Sequence, residues 1–113
     1  MRFFVTGGSG FLGSSIVKTL IEDGHKVKIY DDMSRGDLKK LGKLKTKIQV
    51  SHGDVRDNIK LLQESKGYDY FIHLAAINGT SFFYSKPQEV LDVAVKGILN
   101  AIEVSKINKI KKF

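Results

Sequence analysis

The sequence predicts an α/β fold in which helices cover a parallel β-sheet. Strand-like and helix-like segments alternate along the 113 residues, and turn residues separate them. A glycine-rich run also joins the first strand-like segment to the first helix-like one, as in doubly wound sheets. Because crossovers between parallel strands are right-handed, the expected strand order is 3-2-1-4, with at most a stub of a fifth strand beside the fourth.

The first half of the chain is predicted to form three strands and one long helix. These elements are a strand at residues 2–5, a helix at 11–22, a strand at 26–30, a short helical turn at 38–41 and a strand at 47–50. The helix has Leu12, Ile16 and Leu20 at helical spacing, and the pair Asp23-Gly24 ends it.

Two further helices and a fourth strand are predicted in the second half. The elements are a helix at residues 54–63, a strand at 68–74, an irregular segment at 78–86, a helix at 88–106 and a fifth strand that begins at 109–113. Gly67 breaks the chain before the fourth strand, and Pro87 suits the first turn of the last helix. Gly97 and Ala101 belong to a face of that helix made largely of small residues.

The net charge of +7 is not taken as a sign of nucleic-acid binding. The lysines crowd two segments, residues 39–47 and 106–112, and neither segment has the interleaved aromatic residues of a surface that stacks bases. A solvated lysine surface is therefore expected, and an anionic small molecule is the partner that would complement its positive charge.

The composition excludes several other classes of site. The absence of cysteine excludes disulfides, thiolate zinc sites and a cysteine nucleophile. No group of His, Asp and Glu has metal-ligand spacing, so no metal site is predicted. No apolar run approaches about 20 residues, so no membrane span is predicted. Because the chain enters its first strand without a signal-peptide pattern, a cytoplasmic location is expected.

The glycine-rich run between the first strand and the first helix predicts a dinucleotide-binding loop. Gly7 permits a tight turn, Gly10 lets a pyrophosphate approach the backbone, and Gly13 lets the helix pack closely. The amides of Phe11 and Leu12 lie in the first helical turn, where unpaired N–H groups and the helix dipole favour an anion. Because a strand precedes it and a helix follows it, this run is interpreted as the dinucleotide-binding loop of a Rossmann-type sheet rather than as a glycine-rich turn without a ligand.

Asp31 ends the second predicted strand, where a ribose-binding carboxylate is expected. Its oxygens can accept hydrogen bonds from both adenosine ribose hydroxyls, and its charge would repel a 2′-phosphate, which favours NAD over NADP. Arg35 stands four residues later and could pair with that phosphate, so NADP stays the less favoured alternative. A solvated turn aspartate is the other interpretation of Asp31.

Two later segments extend the predicted site. Asp54 could accept a bond from the adenine amino group with Val55 against the ring, although an aspartate here could equally be a helix N-cap. The small residues Ala75 and Ala76 would let the nicotinamide side of the cofactor lie against the backbone. His73 is interpreted as a structural histidine rather than a catalyst.

Four segments in this order resemble the N-terminal part of the extended short-chain dehydrogenase/reductase family, which includes NAD-dependent nucleotide-sugar epimerases and dehydratases. They are TGGSGFLG at residues 6–13, DDMSRG at 31–36, GDVRD at 53–57 and HLAA at 73–76. The resemblance implies that NAD is held at these segments. The full predicted cofactor-binding set is Gly7, Gly10, Phe11, Leu12, Gly13, Asp31, Asp32, Ser34, Arg35, Asp54, Val55, Leu74, Ala75 and Ala76.

The sequence departs from the family pattern in two ways. Ala94 stands where family members usually carry an asparagine that supports the nicotinamide end of the site. The catalytic Ser/Thr of the family and its Tyr-x-x-x-Lys pair do not occur in the 113 residues. We therefore expect residues 1–113 to be an NAD(P)-binding domain that is incomplete at its C-terminus, to hold no catalytic residue and to be inactive alone. A nucleotide-sugar would then be a partner only in a full-length parent.

Two other interpretations of the chain remain open. It could be a freestanding nucleotide-binding or interaction module that forms a homodimer through an unpaired strand at the edge of its sheet. It could also be a complete enzyme that works without the usual catalytic residues, which is the weakest of the three interpretations.

Overall fold

The computed structural model describes residues 1–113 as four strands, four α-helices and one 3₁₀ segment. In chain order these are β1 (Arg2–Thr6), α1 (Phe11–Glu22), β2 (Lys26–Asp31), the 3₁₀ segment (Leu38–Lys47), β3 (Ile48–His52), α2 (Asn58–Glu64), β4 (Tyr70–His73), α3 (Thr80–Ser85) and α4 (Pro87–Ile107). The strands form one parallel sheet in the order β3-β2-β1-β4. The predicted fold class and strand order are therefore confirmed.

Alternating side chains of the central strand β1 supply the cores on the two faces of the sheet. Phe4 points into a core that includes Leu61 of α2 and Val104 of α4. Val5 points the opposite way, into a core with Val17 of α1. Because successive residues of a strand face opposite sides, one strand can pack helices on both faces of the sheet.

A short continuation of the chain pairs with the outer edge of β4. The backbone N–H of Phe71 donates to the carbonyl of Lys112 at 2.9 Å, and that of Lys111 donates to the carbonyl of Asp69 at 2.8 Å. This contact is a single parallel bridge, between Tyr70 and Lys112, and confirms the stub of a fifth strand. A homodimer through the edge of the sheet stays a prediction.

Three local elements differ from the prediction. Residues 80–85, expected to be irregular, form α3, a six-residue helix with no buried side chain and hence no apolar period to reveal it. The 3₁₀ segment extends to Lys47, beyond the predicted turn at 38–41. The second main helix begins at Asn58 rather than at residue 54, because Asp57 is its N-cap and accepts from the N–H of Lys60.

The last helix begins as expected, with Pro87 in its first turn. It is 21 residues long, and the face made largely of small residues, including Gly97 and Ala101, is buried toward the sheet. None of the helices combines the length and the apolar character needed to cross a membrane.

Candidate functional site

The carboxyl ends of the strands open into one cavity of about 470 Å³. It lies where β1 and β4 diverge to opposite crossovers, the place at which open α/β sheets bind ligands. All fourteen residues of the predicted cofactor-binding set line it. Seven residues outside that set also line it: Tyr30, Gly36, Lys40, Gly53, Ile77, Asn78 and Val93.

The glycine loop, residues 7–13, forms the floor of the cavity in close contact with its neighbours. Gly7 has a φ of +71°, and a Cβ there would lie 2.8 Å from the backbone N of Ala75. A Cβ at Gly13 would lie 2.1 Å from the carbonyl oxygen of Gly7. A Cβ at Gly10 would meet only that same oxygen, at 3.4 Å, so Gly10 presents open backbone to the cavity.

The N-terminus of α1 faces this cavity without a cap. Gly10 is its N-cap and provides no side-chain acceptor, and the first turn contains no acidic residue. The first helical backbone bond runs from the N–H of Ser14 to the carbonyl of Gly10 at 2.9 Å. The N–H groups of Phe11 and Leu12 therefore have no acceptor within the helix, and together with the helix dipole they can bind an anion.

Asp31 lies buried at the end of β2, with 8% of its surface exposed. Its Oδ2 accepts from the N–H of Ser9 at 3.1 Å, and its Oδ1 accepts from the N–H of Met33 at 2.8 Å. One carboxylate thus ties the glycine loop to the turn after β2. Because each carboxylate oxygen has a further lone pair, both can still accept from a ligand hydroxyl.

Asp32, the next residue, is exposed and organises the turn after β2. Its Oδ1 accepts from the N–H of Ser34 at 2.9 Å and from the Ser34 hydroxyl at 2.7 Å. This local pairing holds the turn that forms the outer wall of the cavity.

Asp54 follows β3 and pairs with Arg56 rather than capping a helix. The Arg56 Nη2 donates to Oδ2 of Asp54 at 2.7 Å, and its Nε lies 3.1 Å from each carboxylate oxygen. These bonds hold the pKa of Asp54 below its usual range, against the opposing effect of burial. The N-cap interpretation of Asp54 is therefore wrong, since Asp57 caps α2. Its role toward adenine stays a prediction.

A contact between two loops crosses the rim of the cavity. The Arg35 Nη1 donates to the backbone carbonyl of Asn78, and the guanidinium lies 5.1 Å from the centre of the Phe82 ring. This contact joins the turn after β2 to the loop after β4. Lys40, which sequence analysis missed, is the second cation lining the cavity, and both cationic side chains are exposed.

Tyr30 is the missed residue with the clearest structural role. Its ring is fully buried beneath Gly53, where a Cβ would lie 2.3 Å from the tyrosine oxygen. Its hydroxyl donates to the carbonyl of Asp54 at 3.0 Å. Burial, with Asp57 and Asp54 nearby, raises the pKa of Tyr30, so the hydroxyl stays a donor. Within a strand its aromatic side chain is indistinguishable from an ordinary core residue.

His73 is hydrogen-bonded within the sheet and does not line the cavity. Its Nδ1 lies 2.8 Å from the Thr6 hydroxyl, which also accepts from the N–H groups of Leu74 at 3.2 Å and Ala75 at 3.3 Å. With these two N–H groups directed at its oxygen, the hydroxyl can donate its proton to Nδ1, an arrangement that matches the neutral His73 tautomer with its proton on Nε2. Burial lowers the pKa of His73.

The free energy of unfolding is expected to fall on mild acidification because of His73. Its folded-state pKa lies below the ordinary value of 6.5, so the unfolded chain binds the proton first as the pH falls through 6.5. The contribution is complete above that value and is lost as the pH falls toward the folded-state pKa, with a slope of at most about 1.4 kcal/mol per pH unit. Urea unfolding at about pH 7.5 and about pH 5.5 measures it.

The matched variant is His73→Asn, whose amide oxygen can replace Nδ1 as the acceptor for Thr6. It does not titrate, so its stability should vary less over the same pH interval. An equal pH dependence in both proteins would assign the effect to other groups.

The sequence profile described as the 3-beta hydroxysteroid dehydrogenase/isomerase family matches residues 4–113. A UDP-glucose 4-epimerase from Yersinia enterocolitica is 30% identical over 118 aligned positions, which cover 99% of this chain and 35% of the relative.

Solved structures match along the whole chain. A UDP-glucose 4-epimerase from Thermotoga maritima, determined with UDP-glucose, has a TM-score of 0.91 at 29% identity and covers 100% of this chain and 36% of its own. The Thermus thermophilus UDP-glucose 4-epimerase in complex with NAD has a TM-score of 0.86 at 27% identity, over 97% of this chain and 35% of its own.

The chain thus spans about a third of the length of these relatives. The match confirms the resemblance to the N-terminal part of the NAD-dependent epimerases and dehydratases. With the profile covering almost every residue, the chain belongs to the 3-beta hydroxysteroid dehydrogenase/isomerase family.

Proposed function

We propose that residues 1–113 are the NAD-binding segment of an NAD-dependent nucleotide-sugar epimerase or dehydratase. The observation that carries the proposal is the shared cavity, in which the uncapped N-terminus of α1 lies opposite the Asp31 carboxylate. The unpaired N–H donors in the first turn of α1 and an acceptor-only carboxylate match the pyrophosphate and the ribose of one dinucleotide.

The glycine loop would hold the pyrophosphate. Gly10 has no side chain to fill the space beside it, and the amides of Phe11 and Leu12 can donate to the phosphate oxygens. The adenosine ribose would then lie at Asp31, which retains acceptor capacity after binding the N–H groups of the two loops.

The two ends of the dinucleotide would occupy opposite sides of the loop. Adenine would lie against Val55 and donate its amino group to Asp54, on the side of β3. The nicotinamide half would follow the backbone at Leu74, Ala75 and Ala76, on the side of β4. The small side chains there leave the backbone accessible.

NAD is proposed over NADP because of the charges beside the ribose. A 2′-phosphate would approach the carboxylate of Asp31, which is buried and cannot swing away. Arg35 is one of two cations lining the cavity that could neutralise that phosphate, and its guanidinium is bonded to the carbonyl of Asn78 and packed on Phe82. These contacts fix where the guanidinium lies and occupy Nη1.

The chain itself is proposed to bind and orient the cofactor without turnover. A bound nicotinamide dinucleotide supplies the hydride acceptor for this class of reaction. None of the 113 residues forms the Tyr-x-x-x-Lys pair that the family uses as its acid and base. A longer protein containing this segment would add those groups and the site for a nucleotide-sugar.

Calorimetric titration with NAD and NADP tests the proposal. We expect NAD to bind and NADP to bind at least about tenfold more weakly, a difference of about 1.4 kcal/mol. Absence of binding to either dinucleotide at millimolar concentration would overturn the proposed function. A preference for NADP would leave dinucleotide binding intact but contradict the role assigned to Asp31.

A further inference from the structure

Arg56 does not line the cavity, yet it holds the carboxylate that does. Its Nη2 and Nε donate to both oxygens of Asp54, at 2.7 to 3.1 Å, and its backbone N–H donates to Oδ1 at 2.8 Å. The backbone of Asp54 is held as well, because its carbonyl accepts from the Tyr30 hydroxyl at 3.0 Å. Asp54 is therefore fixed at both its main chain and its carboxylate.

The other end of the same guanidinium is anchored on α4. The Arg56 Nη1 donates to Oδ2 of Asp92 at 3.1 Å, and Oδ1 of Asp92 pairs with Lys96 at 2.9 Å. A guanidinium is planar and presents its donors in a fixed fork, so binding at one end sets the orientation of the other. The plane of the Asp54 carboxylate is thereby set in part by a residue of α4.

This arrangement leaves little freedom for the remaining lone pairs of Asp54. Three N–H groups of Arg56 make four contacts with the carboxylate, the Nε–H being shared between its two oxygens, so about one of its four lone-pair sites is left for a ligand donor. A carboxylate that is already oriented loses less entropy when it accepts such a bond. It also discriminates more strongly against a ligand that lacks the donor, because its lone pair is then left unpaired.

We propose that Arg56, anchored by Asp92, is a positioning residue that aims Asp54 at the exocyclic amino group of adenine and so makes the cavity select adenine over hypoxanthine. This inference rests on the proposed function, in which the adenine of NAD lies at Asp54. If Arg56 instead only linked the loop after β3 to α4, it would stabilise the fold without affecting which base is bound.

The test compares NAD with nicotinamide hypoxanthine dinucleotide, in which a carbonyl oxygen replaces the adenine amino group and N1 becomes an N–H donor. The intact chain should bind NAD about tenfold more tightly than the analogue, as expected for one hydrogen bond to a charged acceptor. Arg56→Met should weaken NAD about tenfold and the analogue less than about twofold, so the ratio of the two dissociation constants approaches one.

Arg2→Met is the matched control. Arg2 lies at the opposite end of the sheet, where its guanidinium packs on Tyr68 at 4.7 Å and donates to the carbonyl of Gly67. The same change of residue there removes one hydrogen bond and one cation–π contact, with no ion pair and no tie to the cavity, and should leave the ratio of dissociation constants unchanged.

Two further variants keep the test decisive if Arg56→Met does not fold. Arg56→Lys retains the positive charge without the fork, and Asp92→Asn weakens the anchor on α4. Both should lower the preference for NAD over the analogue. If the variants lose affinity for both dinucleotides by the same factor, Arg56 has only a structural role and the inference is overturned. Equal affinities of the intact chain for both would overturn it too, while absence of NAD binding would instead refute the proposed function.

Discussion

Replacing Gly10 by alanine is expected to abolish dinucleotide binding while leaving the fold intact. The backbone at Gly10 has φ −73° and ψ −179°, a conformation open to alanine, and the new Cβ would meet only the Gly7 carbonyl oxygen at 3.4 Å. The free energy of unfolding should change by less than about 0.5 kcal/mol. The methyl group would occupy the cavity where the pyrophosphate is proposed to lie, raising the dissociation constant for NAD more than about 100-fold.

The matched variant, Gly13→Ala, should damage the fold as well as the site. Its Cβ would lie 2.1 Å from the carbonyl oxygen of Gly7 and 2.8 Å from the Cα of Gly8, and both atoms belong to backbone that cannot move aside. Overpacking of this kind costs about 1–3 kcal/mol. Urea unfolding and calorimetric titration with NAD separate the two effects. Unchanged NAD affinity in Gly10→Ala would contradict the proposed position of the pyrophosphate. Undiminished stability in Gly13→Ala would contradict the close contact between Gly13 and the backbone of Gly7 and Gly8.

The second large effect is expected from Asp31→Asn. The carboxylate accepts from the N–H groups of Ser9 and Met33, whereas an amide offers one acceptor and would turn its NH₂ group toward the other donor. A buried N–H left without an acceptor costs about 1–3 kcal/mol of stability. Loss of the charge-assisted bonds proposed between Asp31 and the ribose should remove about 1.5–3 kcal/mol of binding, so NAD affinity should fall about 10- to 100-fold.

Asp31→Asn should also change the choice of cofactor. Removing the negative charge relieves repulsion of a 2′-phosphate, so the preference for NAD over NADP should narrow. Asp37→Asn is a suitable control, because Asp37 is exposed, lies outside the cavity and only accepts from the N–H of Lys39. Calorimetric titrations of both variants with both dinucleotides measure the effect. An undiminished preference for NAD in Asp31→Asn would show that discrimination comes from other residues.

The convergence of the site residues was predictable because parallel strands share a direction. Thr6, Asp31, His52 and His73 are the last residues of their strands, so the segments that follow all meet at one edge of the sheet. Motifs separated along the chain therefore line one cavity once the strand order is known. Their individual contacts with NAD stay predictions.

The errors lie where local signals are ambiguous. Asp54 and Asp57 both precede a helix-like segment, and either could cap it from local preference alone. Asp57 becomes the cap because Asp54 binds Arg56, which is itself oriented by a residue 36 positions away. Residues 80–85 fold as a helix without burying a side chain, so the apolar pattern contains no trace of α3.

The sequence by itself determined the alternation of strands and helices, the strand order, the glycine-rich turn before α1 and the acidic residue at the end of β2. Each follows from local properties: apolar periodicity, the conformational freedom of glycine and the handedness of crossovers.

Only the tertiary structure decided which partners the functional side chains have. Asp31 binds Ser9 across 22 positions, Arg35 binds Asn78 across 43, and Arg56 reaches Asp92 across 36. Such pairs depend on distances set by the packing of helices on a twisted sheet, and no local preference of the chain encodes those distances.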